Sequence, residues 1–183
     1  MSKGSSLRDL EGNQAGTRND AIDVALLQWA KERPDLDASP IAVFGRLSRV
    51  YLVAQARLRA LLAAHELTPA TFDVLANLRR SGPPHRKSAG EIAASSLLST
   101  GGTSFRLDRL EERKLVQRVT GTHDRRVIYV ELTNEGRELI DVVMAAHLEQ
   151  EARMLAGLSA DERAALSLLL RGLERSIGGD LSE

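Results

Sequence analysis

The chain has no cysteine. A disulfide scaffold, a thiol nucleophile and a cysteine redox switch are therefore excluded. No apolar run approaches the roughly 18–20 residues that span a bilayer. The opening residues, MSKGSSLRDLEGNQAG, hold no apolar stretch of the signal-peptide kind. These absences predict a soluble, cytoplasmic protein with no membrane partner. There is no glycine-rich phosphate loop and no nucleophile elbow, so an enzyme is not expected. The four histidines (His65, His85, His123, His147) lack metal-ligand spacing, and no metal site is expected. Aromatic residues make up only 3% of the chain, and Trp29 is its single tryptophan. Net charge is missing too, because 25 basic residues meet 25 acidic ones. Taken whole, that neutrality argues against a nucleic-acid partner.

Counted by segment, the neutrality is a cancellation. Residues 1–78 carry 9 basic and 9 acidic residues, residues 79–126 carry 11 and 5, and residues 127–183 carry 5 and 11. A segment of net +6 is thus set against one of net −6. A basic segment beside acidic helices points to one face meant for an anion.

The order of elements gives that face a shape. Composition predicts disorder over 1–17. An added N-terminal helix is expected within 18–37, capped by Asn19 or Asp20, with Ile22, Leu26 and Trp29 on one stripe. A long helix within 38–66 follows Pro40, with Val43, Leu47, Val50, Ala54, Leu58, Leu61 and His65 at helical spacing. Thr68-Pro69 opens a helix to about Arg80 bearing Phe72, Leu75 and Leu78, and Ser81-Gly-Pro-Pro-His85 breaks it. Ser88-Ala-Gly-Glu91 is a capping box for a short helix. After the turn Ser99–Gly102, a second short helix runs from Thr103 to Lys114 with Leu107 and Leu110 facing in. Two short helices around a glycine turn match a helix-turn-helix. The β-rich runs Leu115–Val119 and Val127–Leu132 then form a hairpin with a basic tip. Helices opened by Thr133 and by the capping box Ser159-Ala-Asp-Glu162 complete the chain, the last with Leu166, Leu169, Leu170 and Leu173 inward. The expected fold is mainly α with a small β-hairpin wing: a winged helix-turn-helix over 67–133, C-terminal helices over 134–177, and a frayed tail over 178–183.

The runs STGGTSFRLDRLEERKLV (99–116) and DRRVIYVELT (124–133), followed by Gly136-Arg137, resemble the MarR family of winged-helix regulators. The wing pattern there is D-x-R-x-x-x-V-x-L-T. The resemblance implies a homodimer built from the N- and C-terminal helices, which binds pseudo-palindromic double-stranded DNA and is released by a small ligand. Gln28–Asp37, Ser39-Pro40, Phe72–Leu75 and Arg79–Pro83 further resemble the urate-responsive, PecS-like branch with its added N-terminal helix. That resemblance implies Trp29, Asp73, Arg106 and Arg118 as ligand residues, and urate as the effector. Phe105 departs from the pattern, which has a small or polar residue before the recognition-helix arginine.

The residue types suit these roles. A recognition helix lies in the major groove with its N-terminal residues nearest the bases. Thr103 and Ser104 offer hydrogen bonds with little bulk, and Arg106, Arg109 and Arg113 can pair guanine or hold phosphate. At the wing tip, Arg125 and Arg126 can enter a narrow minor groove. His85, Arg86 and Lys87 either reach flanking phosphates or form a solvated loop. Urate is a flat polar monoanion, so Trp29 would give it a wall, Arg106 or Arg118 a charge-assisted bond, and Asp73 an acceptor. Three alternatives stay open. One is another aromatic or carboxylate effector, another is a winged-helix interaction module that does not read DNA, and the third is plain packing roles for Trp29, Asp73 and Arg118.

Overall fold

The computed structural model describes residues 19–95, 102–121 and 127–178. The expected disorder over 1–17, most of the 178–183 tail, the turn up to Gly101, and Arg125 and Arg126 at the wing tip lie outside the described residues. The elements are α1 (Ala21–Glu32), α2 (Pro40–Ala63), α3 (Pro69–Arg80), β1 (Arg86–Ser88), α4 (Ala89–Ala94), α5 (Thr103–Glu112), β2 (Val116–Thr120), β3 (Ile128–Leu132), α6 (Asn134–Met154) and α7 (Ala160–Ser176). Two compact units divide the chain, one through Val53 and one from Ala54.

The first unit holds α1 and the first half of α2. Asp20 caps α1, accepting from the backbone N–H of Ile22 and Asp23, while the Asp23 carboxylate reaches back to the Asp20 N–H. Arg46 of α2 spans both carboxylates, at 3.1 Å from Asp20 and 2.6 Å from Asp23. Gly45 lets the helices approach, since a Cβ there would sit 2.8 Å from the Ile22 Cδ1. Trp29 remains half-exposed.

The second unit is built on α3 and α6. Thr68 caps α3 and Pro69 occupies its first turn, where a missing N–H costs nothing. Leu62, Leu67, Val74, Leu75, Leu78, Ile92, Leu107, Leu110, Leu115, Val116, Val130, Leu132, Ile140 and Val143 form one buried core. Arg79 of α3 grips Asp141 of α6 through two bonds of 2.7 and 3.2 Å, and these hold the Asp141 carboxyl below its ordinary pKa.

Two expectations need correction, the loop at residues 86–88 and the inward face of α7. The expected β2–β3 hairpin is present, and a third strand joins it, giving the order β1-β3-β2. Arg86, Lys87 and Ser88 pair with Glu131, Val130 and Tyr129, so the segment read as a loop is an edge strand. Its residues have no β propensity, and the strand exists because β3 offers an unpaired edge. Next, α7 buries no residue in its own chain: Leu169 is 72% exposed, and its apolar stripe faces away from the described core. On α2 only Leu62 is buried, and Val43, Leu47 and Val50 of its stripe are exposed. Helical periodicity reports that an apolar face exists, not which surface covers it.

One joint fixes α5, β2 and α6 together. Lys114 takes the left-handed conformation (φ 57°) and turns the chain out of α5, with Leu115 N–H bonded to the Leu110 carbonyl at 2.9 Å. The Lys114 carbonyl accepts from the Thr133 hydroxyl (2.7 Å), and the Leu115 carbonyl accepts from the Thr133 N–H (3.2 Å). Thr133 in turn caps α6. A Cβ on Gly136 would overlap the Leu115 carbonyl group, which is backbone and cannot move aside. Gly136→Ala is therefore expected to cost about 3 kcal/mol in urea unfolding. Gly157→Ala, where a Cβ meets nothing within 4 Å, should change stability by less than about 0.5 kcal/mol.

Candidate nucleic-acid interface

Gly102, in the left-handed conformation (φ 76°), leads the chain into α5 without a side-chain cap. Leu107 and Leu110 bury one face of the helix, which packs against α3, α4 and β2. That anchorage turns Ser104, Phe105, Asp108, Arg109 and Glu112 to solvent. Thr103 and Arg106 are half-buried, and each has a bonding or electrostatic partner. The Arg109 guanidinium lies over the Phe105 ring, 5.9 Å from its centroid.

The arginines expected to act together divide between roles. Arg113, assigned from the sequence to DNA, is turned back to the scaffold. It donates to the Glu66 carbonyl at 2.6 Å and to the His65 carbonyl at 3.4 Å, and pairs with the Glu66 carboxylate at 3.3 Å. Glu66 itself is left-handed (φ 55°), so Arg113 staples the end of α5 to the turn after α2. Arg118 of β2 reaches across to α5, 2.6 Å from Asp108 and in close contact with Glu111. Its own backbone N–H also donates to Glu111, at 3.2 Å. The Asp108 hydrogen bond, with the Glu111 charge beside it, raises the guanidinium above its usual pKa. Arg118 thus fixes the first wing strand against the recognition helix.

A polar network linking α3, β1 and the end of α4 was not expected from the sequence. The Lys87 ammonium donates to the Asn77 carbonyl oxygen (2.7 Å) and to the Ser95 hydroxyl (2.9 Å). Asn77 is fully buried on α3, and its amide donates to Ser95 at 3.0 Å. Lys87, a candidate phosphate contact by sequence, therefore joins α3, β1 and the end of α4. Arg86 likewise lies over the Tyr129 ring, 5.1 Å from its centroid. An asparagine at a core position of α3, beside Val74 and Leu78, was the available signal.

A cavity of about 190 Å³ lies within the second unit, walled by Gln55, Leu58, Leu62, Pro69, Phe72, Asp73, His147 and Glu151. The Phe72 and His147 rings are 4.7 Å apart, and His147 Nε2 lies 3.2 Å from Glu151. Asp73 is buried here and has its own partner. Of the four expected ligand residues, Asp73 is on this wall; Arg106 and Arg118 are not among the lining residues. Trp29 belongs to the first unit. Among the described residues no carboxylate–histidine group could hold a metal ion, and no helix is long and apolar enough to cross a membrane.

Comparison with known proteins follows the same outline. A model of the MarR family matches residues 65–127. The HTH-type transcriptional regulator PecS of Dickeya dadantii (strain 3937) is 37% identical over 150 residues, which cover 82% of this chain and 90% of PecS. AbsC, a MarR family transcriptional regulator from Streptomyces coelicolor, has a similar structure with a TM-score of 0.69. At 22% identity it covers 79% of this chain and 98% of AbsC. BpsR of Bordetella bronchiseptica, whose DNA binding is regulated by 6-hydroxynicotinic acid, gives a TM-score of 0.63 at 28% identity. That match covers 72% of this chain and 92% of BpsR.

The two arginines at opposite ends of this comparison have different expected costs. Arg113→Gln should lose about 1–2 kcal/mol in urea unfolding, because two carbonyls at the α2 turn lose a charged donor. The solvent-facing Arg109→Gln should stay within about 0.5 kcal/mol of the parent.

Proposed function

Because the chain belongs to the MarR family of transcriptional regulators, we propose that it binds a pseudo-palindromic operator as a homodimer, as a repressor, and that a small anion attenuates that binding. Its family and fold are those of regulators, not enzymes. The observation that carries DNA binding is α5 itself: a helix anchored by Leu107 and Leu110, with Ser104, Arg109 and their neighbours turned outward, followed at once by the β2–β3 wing. Thr103, Ser104, Arg106 and Arg109 are the base- and phosphate-facing set, with Arg125 and Arg126 at the wing tip.

Dimerisation rests on apolar surface that the chain leaves uncovered. Leu168 and Leu169 of α7 are 63% and 72% exposed, and Val50 and Leu52 of α2 are 67% and 66% exposed. Exposed large apolar residues in such number are characteristic of helices that pack against a partner. A second copy is the occupant that a two-fold operator requires.

The effector is assigned to urate through Trp29, Asp73, Arg106 and Arg118. The cavity beside Asp73 has two carboxylates and a histidine on its wall, which suits ring N–H donors. The negative edge of urate is left to Arg106, itself in the DNA-facing set on α5, or to Arg118 on the wing strand β2. Capture of either arginine gives the ligand a differential affinity for the released state, which is all that attenuation requires. An aromatic carboxylate is the second reading, favoured by the likeness to BpsR and its hydroxynicotinic acid.

Two measurements test these readings. Affinity for duplex DNA should fall on the order of a thousandfold between about 50 and 200 mM salt; binding indifferent to salt would favour an interaction module. Urate titrated against the single tryptophan should quench its fluorescence saturably in the parent, and Asp73→Ala and Arg106→Ala should abolish the saturation. Full quenching retained by both variants would move the effector elsewhere.

A further inference from the structure

Phe105 has no place in the regulator as assembled so far. It is 66% exposed and lies outside the buried core. Many of the other exposed apolar side chains lie on α1, α2 and α7, with further ones such as Ile128 on β3 and Val142 and Leu148 on α6. Phe105 is different: its solvent-facing neighbours on α5 are Ser104, Asp108, Arg109 and Glu112. A lone phenyl ring among charges is a poor seed for a protein interface, whose core is depleted of charged residues. It does have an ordered companion one helical turn on, the Arg109 guanidinium over its ring. Such an i,i+4 contact holds both side chains in place before any partner arrives.

Resting on the DNA-binding reading above, we propose that Phe105 is a specificity-determining residue that reads a thymine through its C5-methyl group. Phe105 is the third residue of α5, in the N-terminal turn that meets base edges when such a helix enters the major groove. The only apolar group that B-DNA presents there is the thymine methyl. A ring at this position excludes water from that methyl and gains on A·T pairs alone. Arg109, stacked on the ring, is pre-oriented toward an adjacent guanine edge or phosphate, and loses less freedom on binding. The charge balance of the surrounding segment supplies attraction without sequence; Phe105 supplies discrimination.

The test uses duplexes selected by the full-length protein from a random-sequence pool, with each thymine of the selected site then replaced singly by deoxyuridine. This change removes one methyl and nothing else. At one thymine per half-site the parent should lose about fourfold in affinity, the worth of one buried methyl. Phe105→Ala should bind the thymine and deoxyuridine duplexes equally, with the parent's melting temperature and salt dependence retained. Phe105→Leu should keep part of the difference. A parent indifferent to deoxyuridine at every position overturns the proposal, as does an equal penalty in Phe105→Ala. A parent that enriches no sequence from the pool overturns the DNA-binding reading itself, which is a separate result.

Discussion

The structure turns on the close approach of Gly136 to the Leu115 carbonyl. Three elements meet there: the end of α5, the start of β2 and the start of α6. Thr133 closes the joint with its hydroxyl on the Lys114 carbonyl and its N–H on the Leu115 carbonyl. The bonds are ordinary, each worth about 1 kcal/mol net. Their effect is geometric, because backbone packed against backbone leaves no soft side chain to absorb a displacement. Arg113 extends the joint to the turn after α2. A tilt of α6 must therefore move the recognition helix and the wing strand with it. In the proposed dimer, this rigidity converts a change between subunits into a change in the spacing of the two recognition helices.

The same geometry changes the meaning of the charge count. Segment 79–126 has a net charge of +6, which first pointed to an anionic partner. Yet Arg79 is engaged with Asp141, Arg113 with Glu66, Arg118 with Asp108 and Glu111, and Lys87 with Asn77 and Ser95. Partly exposed pairs of this kind add little stability each. What they do is orient the elements that carry the remaining cations. Much of the basic segment is thus engaged within the chain, holding the helix-turn-helix and the wing strands together.

Local signals were legible in the sequence, and partner-dependent ones were not. The caps at Asp20, Thr68, Ser88, Thr133 and Ser159 all open the helices expected of them, because a cap bonds within its own first turn. Leu107 and Leu110 face the core as their spacing required. β1 was illegible because its stability resides in the β3 edge, not in Arg-Lys-Ser. The α7 stripe was legible as a stripe but not in direction, since its covering surface is not in this chain's own core. The scaffold bonds of Arg113 were hidden for a related reason: helical spacing placed it with Arg106 and Arg109, whereas the carbonyls it bonds lie 47 and 48 residues away. Asp73 entered only through a family resemblance, and nothing in its local sequence marked a buried carboxylate.

Those engaged partners set a condition on any effector. An anion that takes Arg118 must replace Asp108 and Glu111, two carboxylates already in contact with it. Charge alone gains nothing in that exchange, because one carboxylate-like group replaces another. The balance must come from what Asp108 and Glu111 cannot offer: a flat ring that stacks, and N–H donors for neighbouring acceptors. A small aliphatic acid meets neither requirement. An oxidised purine or a hydroxylated aromatic heterocycle meets both, and freeing Asp108 and Glu111 would leave two negative charges on the helix that faces phosphate. In the proposed regulator, attenuation would draw on electrostatics at the interface as well as on geometry at the joint.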